Sequence, residues 1–128
     1  MEKPSGEIIL VPGVNVRPHE LRTAEALART GRTVRFIKKS DRPRETTPDA
    51  LVDGIRWEFK SPTSGKLSSV RDNLRKGLHQ CDRIVLDSRR MKVPDYVAER
   101  ELAARAREFK SLRGLLFIDR HGGVKTIL

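Results

Sequence analysis

The chain has 128 residues, room for one modest core, and a formal net charge of +10 from 27 Lys and Arg against 17 Asp and Glu. That excess favours a polyanionic partner, nucleic acid ahead of an anionic membrane. No run of about 18 apolar residues is present, which excludes a membrane-spanning helix, and the single cysteine, Cys81, excludes an internal disulfide or a CxxC zinc site. Residues 1–6 read as a loose leader, without the basic, apolar and small-residue order of a signal peptide. Glu7 to Val11 is a short strand closed by Pro12 and Gly13. Pro18 then opens a helix with Leu21, Ala24, Leu27 and Ala28 on one face and Gly31 as its stop. Thr33 to Ile37 is a strand, and Lys38 to Thr47 a mobile loop without an apolar residue. Asp49 to Lys60 is a hairpin turning on Asp53-Gly54. A loop from Ser61 leads into a helix over Ser69–Gln80, with Leu67, Val70, Leu74, Leu78 and Cys81 as its apolar stripe. Arg83 to Asp87 is a buried-type strand, and Asp95 to Lys110 a long helix facing inward through Ala98, Leu102, Ala106 and Phe109. Leu115 to Asp119 and Val124 to Leu128 are strands joined by His121-Gly122-Gly123. This order describes a single α/β domain, residues 1–128, around one mixed sheet.

The hairpin register is the informative part. With Asp53 and Gly54 in the turn, Val52 pairs with Ile55, Leu51 with Arg56, Ala50 with Trp57, and Asp49 with Glu58. Alternation then puts Ala50, Val52, Ile55, Trp57 and Phe59 on an apolar face, and Asp49, Leu51, Arg56, Glu58 and Lys60 on the other. Two carboxylates directly opposite each other destabilise a strand pair unless a cation lies between them or water solvates them. A pair of carboxylates with open water positions suits Mg2+, or Mn2+ or Zn2+. Such an ion acidifies a bound water and neutralises a phosphodiester oxygen, and Lys60 beside it can orient the water or stabilise transition-state charge. The alternative is a solvated polar face on an edge hairpin.

Pro48-Asp49, then Glu58-Phe59-Lys60, resembles the PD-(D/E)xK nuclease superfamily. That resemblance implies a restriction-endonuclease-like α/β fold, a mixed central sheet flanked by helices, with Asp49, Glu58 and Lys60 as the catalytic core. Glu20, Ala24, Leu27 and Gly31 follow the E-x3-A-x2-L-x3-G spacing of its small resolvase-like members, which implies Glu20 as a third metal ligand; Glu25 is the competing helix acid. WEFKSPTSGK and NLRKGLHQCDRIVLD are similar to the C-terminal tRNase toxin domains of bacterial contact-dependent growth-inhibition systems over about residues 18–90. This second resemblance implies a metal-dependent RNase acting on tRNA in the cytoplasm of a target cell, a cognate immunity protein as partner, and Gln80 as an accessory catalytic residue. Such toxins are the tails of very large secreted proteins, whereas this sequence begins at Met1. A DNA-directed nuclease on the same fold and a non-catalytic nucleic-acid binder are the rival readings. A membrane-surface protein fits least, because the basic residues are spread over several elements.

Arg71, Arg75 and Lys76 on the second helix, with Lys38, Lys39 and Ser61, are the expected phosphate contacts; the alternative is a merely solvated charged face for the three helix residues and a turn residue for Ser61. Gln80 can equally satisfy backbone carbonyls at its helix end. His19, His79 and His121 match no metal-ligand spacing. Cys81 reads as a small buried hydrophobe, and Trp57 as core.

Overall fold

Asp53 and Gly54 both adopt positive φ, 50° and 83°, the backbone of a two-residue hairpin turn whose twist matches the strands it joins. This turn fixes the centre of the computed structural model of the chain, which describes residues 5–39 and 47–128. The elements in order are β1 (Ile8–Ile9), α1 (Pro18–Arg29), β2 (Val34–Phe36), β3 (Ala50–Val52), β4 (Ile55–Lys60), α2 (Ser68–Leu78), β5 (Arg83–Asp87), α3 (Asp95–Glu108), β6 (Gly114–Ile118) and β7 (Val124–Thr126). The seven strands lie side by side in chain order in one mixed sheet. β3 is antiparallel to both β2 and β4, and β7 is antiparallel to β6; β1 runs parallel to β2, and β4, β5 and β6 run parallel to one another. Val52 pairs with Ile55, Leu51 with Arg56 and Ala50 with Trp57, the register the turn predicts. Residues 40–46 of the expected mobile loop, and residues 1–4 of the expected leader, lie outside the described residues.

Helices cover both faces of the sheet. On one, α1 packs Ala24, Ala26 and Leu27 against Val34, Phe36, Ala50, Val52, Phe59, Val85, Leu116 and Ile118. On the other, α2 and α3 pack Val70, Leu74, Ala98 and Leu102 against Ile84, Leu86, Leu115 and Phe117. Such two-sided cover explains why β5 and β6 read as unbroken apolar runs instead of alternating ones. Gly77 lets α2 lie close on the sheet. A Cβ there would meet Ile84 Cδ1 at 2.8 Å and Lys60 Cε at 3.5 Å.

Several expectations are corrected. Gly6 is not loose: its N–H donates to the Ala28 carbonyl at 2.7 Å, and it packs so tightly that a Cβ would fall 1.8 Å from the Arg32 carbonyl oxygen. Ile55 is 45% exposed instead of joining the apolar face, because it borders the turn at the end of the sheet. Leu67 caps α2 from outside and is exposed, so the inward stripe begins at Val70. α2 stops at Leu78, and Cys81 is half-buried beyond it; its Sγ donates to the Arg56 carbonyl (3.2 Å), and desolvation pushes the thiol's pKa up. The alternative of a solvated face on an edge hairpin does not hold for Glu58, since β3 and β4 lie in the middle of the sheet. Glu58 is buried, with 6% of its surface exposed, while Lys60 is half-buried and Arg56 on the same face is exposed.

Candidate functional site

The C-terminal ends of β4, β5 and β6, at Lys60, Asp87 and Ile118, share one rim of the sheet, where α/β sheets commonly present their chemistry. β4 carries Glu58 and Lys60 on the same face, opposite Ile84 and Leu86 in the parallel ladder. Their side chains meet, Lys60 Nζ lying 3.5 Å from Glu58 Oε2. Asp49 arrives from the residue before β3. Its carbonyl accepts the Ile37 N–H (3.0 Å), while its carboxylate reaches across to β4 and accepts the Phe59 N–H at 2.7 Å. That tie sets the Asp49 carboxylate close enough to Glu58 for its negative charge to act on the Glu58 carboxyl. Lys39, from the segment after β2, donates to the other Asp49 oxygen at 2.9 Å.

Two acids and two lysines thus form one cluster, and its electrostatics are uneven. The Asp49 side chain is 12% exposed and anchored by Lys39 and a backbone N–H. The Glu58 side chain is 7% exposed, and its Oε1 is buried with no donor among the described residues. Burial first, then the negative charge and hydrogen bond of Asp49, push the Glu58 carboxyl up to about 7; Lys60 and Lys39 offset this in part. A carboxylate pair in this state either shares a proton or takes up a cation.

Glu20 lies near by without joining the pair. With Asn15, Arg17, Lys39 and Asp49 it lines a cavity of about 390 Å3, and its Oε1 accepts the Arg17 N–H (3.4 Å) in the first turn of α1. Among the described residues no three His, Cys, Asp or Glu side chains gather closely enough to hold a metal ion. The expected three-acid set is therefore not assembled: Glu58 is buried beside Lys60, and Glu20 lines a cavity with Asp49. Glu25 is exposed on α1. Gln80 closes the last turn of α2 through its N–H to the Gly77 carbonyl (2.9 Å), and among the described residues its side chain makes no hydrogen bond.

The expected phosphate contacts divide. Arg71 pairs with Glu108 and so ties α2 to α3; Arg75 lies 3.9 Å from Asp72; Lys76 is exposed. Lys39 is committed to Asp49 and to the Thr47 carbonyl, whereas Lys38 is exposed, its Nζ beside Gly13. Ser61 falls in a smaller cleft with His19, Arg22, Asp87, Arg89 and Arg90. Composition and periodicity did not single out those arginines. The available signal was an acid closing the apolar strand RIVLD, followed two residues later by Arg89.

A family model described as the contact-dependent growth inhibition CdiA C-terminal domain matches residues 45–124. Among solved structures, a chain of the "CdiA-CT/CdiI toxin and immunity complex" from Burkholderia pseudomallei shares the fold, with a TM-score of 0.62 and 18% sequence identity over 95% of this chain and 96% of that one. No curated protein matches the chain.

Proposed function

The chain belongs to the CdiA C-terminal domain family of contact-dependent growth inhibition, and from that premise we propose that it is a toxin domain that hydrolyses a phosphodiester bond of tRNA with a divalent cation. The observation carrying this reading is the buried Glu58 carboxyl, 3.5 Å from Lys60 Nζ, with its Oε1 unsatisfied among the described residues and the Asp49 carboxylate anchored on the neighbouring Phe59 N–H. Buried unsatisfied oxygens are rare in folded proteins and call for an unrecorded partner. The donor set is all oxygen, which suits Mg2+ or Mn2+.

Asp49 and Glu58 would hold the ion, which supplies Lewis-acid charge for a phosphodiester oxygen and for the attacking water. The protein's own groups do the positioning. Lys39 and the Phe59 N–H fix the Asp49 carboxylate before any ligand arrives. Lys60, 23% exposed, has its ammonium at the boundary between the buried carboxylate and solvent. There it can hold a water in line or stabilise charge that develops on phosphorus oxygens. The net charge of +10 draws polyanions towards the whole surface. The solved relative is a toxin and immunity complex, and by analogy a cognate immunity protein would hold this domain inactive in the producing cell, the target being the cytoplasm of a neighbour.

Expression in bacteria followed by gel separation of small RNA tests the proposal. Loss of tRNA bands with the wild-type chain but not with Glu58→Gln or Lys60→Ala is the expected result. Intact tRNA beside degraded DNA would redirect the substrate assignment. Cleavage undiminished by EDTA or by both substitutions would remove this site from the reaction.

A further inference from the structure

We infer that the cleft between α1 and the C-terminal ends of β4 and β5 is a phosphate-binding pocket for the polynucleotide; this rests on the nuclease reading above and adds a second contact to it. The cleft measures about 140 Å3 and is lined by His19, Arg22, Ser61, Asp87, Arg89 and Arg90. Asp87 is 2% exposed at the end of β5. It accepts from Thr23 Oγ1 (2.8 Å), from Arg89 Nε and Nη2 (3.0 and 2.7 Å) and from the Arg89 N–H (3.1 Å). Its charge is therefore consumed by Arg89, whose guanidinium it holds more firmly protonated. The same guanidinium donates to the Arg22 carbonyl at 2.9 Å, clamping α1 onto the loop after β5.

This brace leaves the mouth of the cleft positive. Arg22 and Arg90 are exposed and make no ion pair among the described residues, and His19 stands beside them. Glu25 and Asp119 act on Arg89 from outside the lining. Two guanidinium forks, an imidazole and the Ser61 hydroxyl line this one cleft, and tetrahedral oxyanions are the ligands such a set recognises. Ser61 directly follows Lys60, so the cleft opens at the end of β4, the strand that carries Glu58 and Lys60. Phe59, which shares Ser61's parity along the chain, packs on the α1 face, whereas Glu58 lies under α2. A nucleic-acid strand draped over this rim would reach the cleft with one phosphate and Lys60 with another.

The test uses inorganic phosphate, followed by calorimetry or 31P line broadening, and short single-stranded RNA with and without a 5′-phosphate. RNA binding is measured on a Glu58→Gln background, which separates binding from cleavage. The comparison is Arg22→Ala/Arg90→Ala, with Arg107→Ala, an exposed position on α3, as the charge control. The expected result is loss of phosphate binding and roughly tenfold weaker RNA binding in the double variant, with a salt slope shallower by about 0.7 for one lost phosphate contact. The Arg107→Ala chain should keep its phosphate binding. Dependence on a 5′-phosphate would mark a terminal phosphomonoester as the ligand; equal effects on both RNAs would mark the internal backbone. Phosphate and RNA binding unchanged in the double variant would overturn the inference. Absence of cleavage by the wild-type chain with pocket-dependent binding intact would instead count against the nuclease reading alone.

Discussion

Glu58→Gln should make the protein more stable at alkaline pH while abolishing the cleavage proposed for it. The Glu58 carboxyl is 7% exposed, packed beside Asp49, and displaced from its ordinary 4.5 to about 7. Between those two pH values the folded chain keeps a proton on Glu58 that the unfolded chain has released. Stability from this group is therefore fully present below pH 4.5 and is lost as pH rises through 7. At about 1.4 kcal/mol per pH unit the full swing is on the order of 3 kcal/mol. Glutamine is shaped like the protonated acid and does not titrate, so its stability curve lacks that fall. Urea unfolding in EDTA at pH 4.5, 6 and 8 measures the difference. The two chains should agree at the lowest pH and diverge to about 3 kcal/mol in favour of the variant at pH 8. A gap that does not change with pH, or a variant less stable at pH 8, would refute the claim that Glu58 is ionised there against its surroundings.

Lys60→Met should remove cleavage with little change in fold. It should also push the Glu58 midpoint higher still, because Lys60 is one of the charges that lowers it; the stability profile of the variant reads this directly. Adding Mg2+ at pH 7.5 should raise the Tm of the wild-type chain and leave that of Glu58→Gln unmoved, since an ion bound only to the folded state stabilises it by mass action; equal shifts in both chains would place the ion elsewhere. Asp87→Ala strips the acceptor from Thr23 and Arg89 in a buried setting and should lower stability by about 3 kcal/mol, measured by urea unfolding. Gly6→Ala forces a Cβ against the Arg32 carbonyl and should cost about 2 kcal/mol, with loss of hydrogen-exchange protection at the Gly6 and Val34 amides that bond to Ala28 and Glu7.

What the amino-acid order determined by itself is local. The Asp53-Gly54 turn needs positive φ at both positions, few residue pairs supply it, and a two-residue turn admits one register. From that register alone Asp49 and Glu58 are expected as facing neighbours; the ladder itself ends at Ala50 and Trp57, and the Asp49 carboxylate beyond it accepts the Phe59 N–H. The helix from Pro18 and the strand Arg83–Asp87 are likewise short-range consequences of a fixed φ and an unbroken apolar run. Only the tertiary structure decided which polar surface would lose its water. Period-two alternation marks Glu58 as polar-faced but says nothing of α2 settling over it, which depends on Gly77 permitting close approach to a strand distant in sequence. The separation of Glu20 from the acid pair, the commitment of Arg71 to α3, and the gathering of residues 19, 22, 61 and 87–90 into one cleft have the same origin. Alternation and capping act over a few residues, whereas burial and charge proximity arise from strand order and helix packing, which bring together positions that no short window of sequence contains.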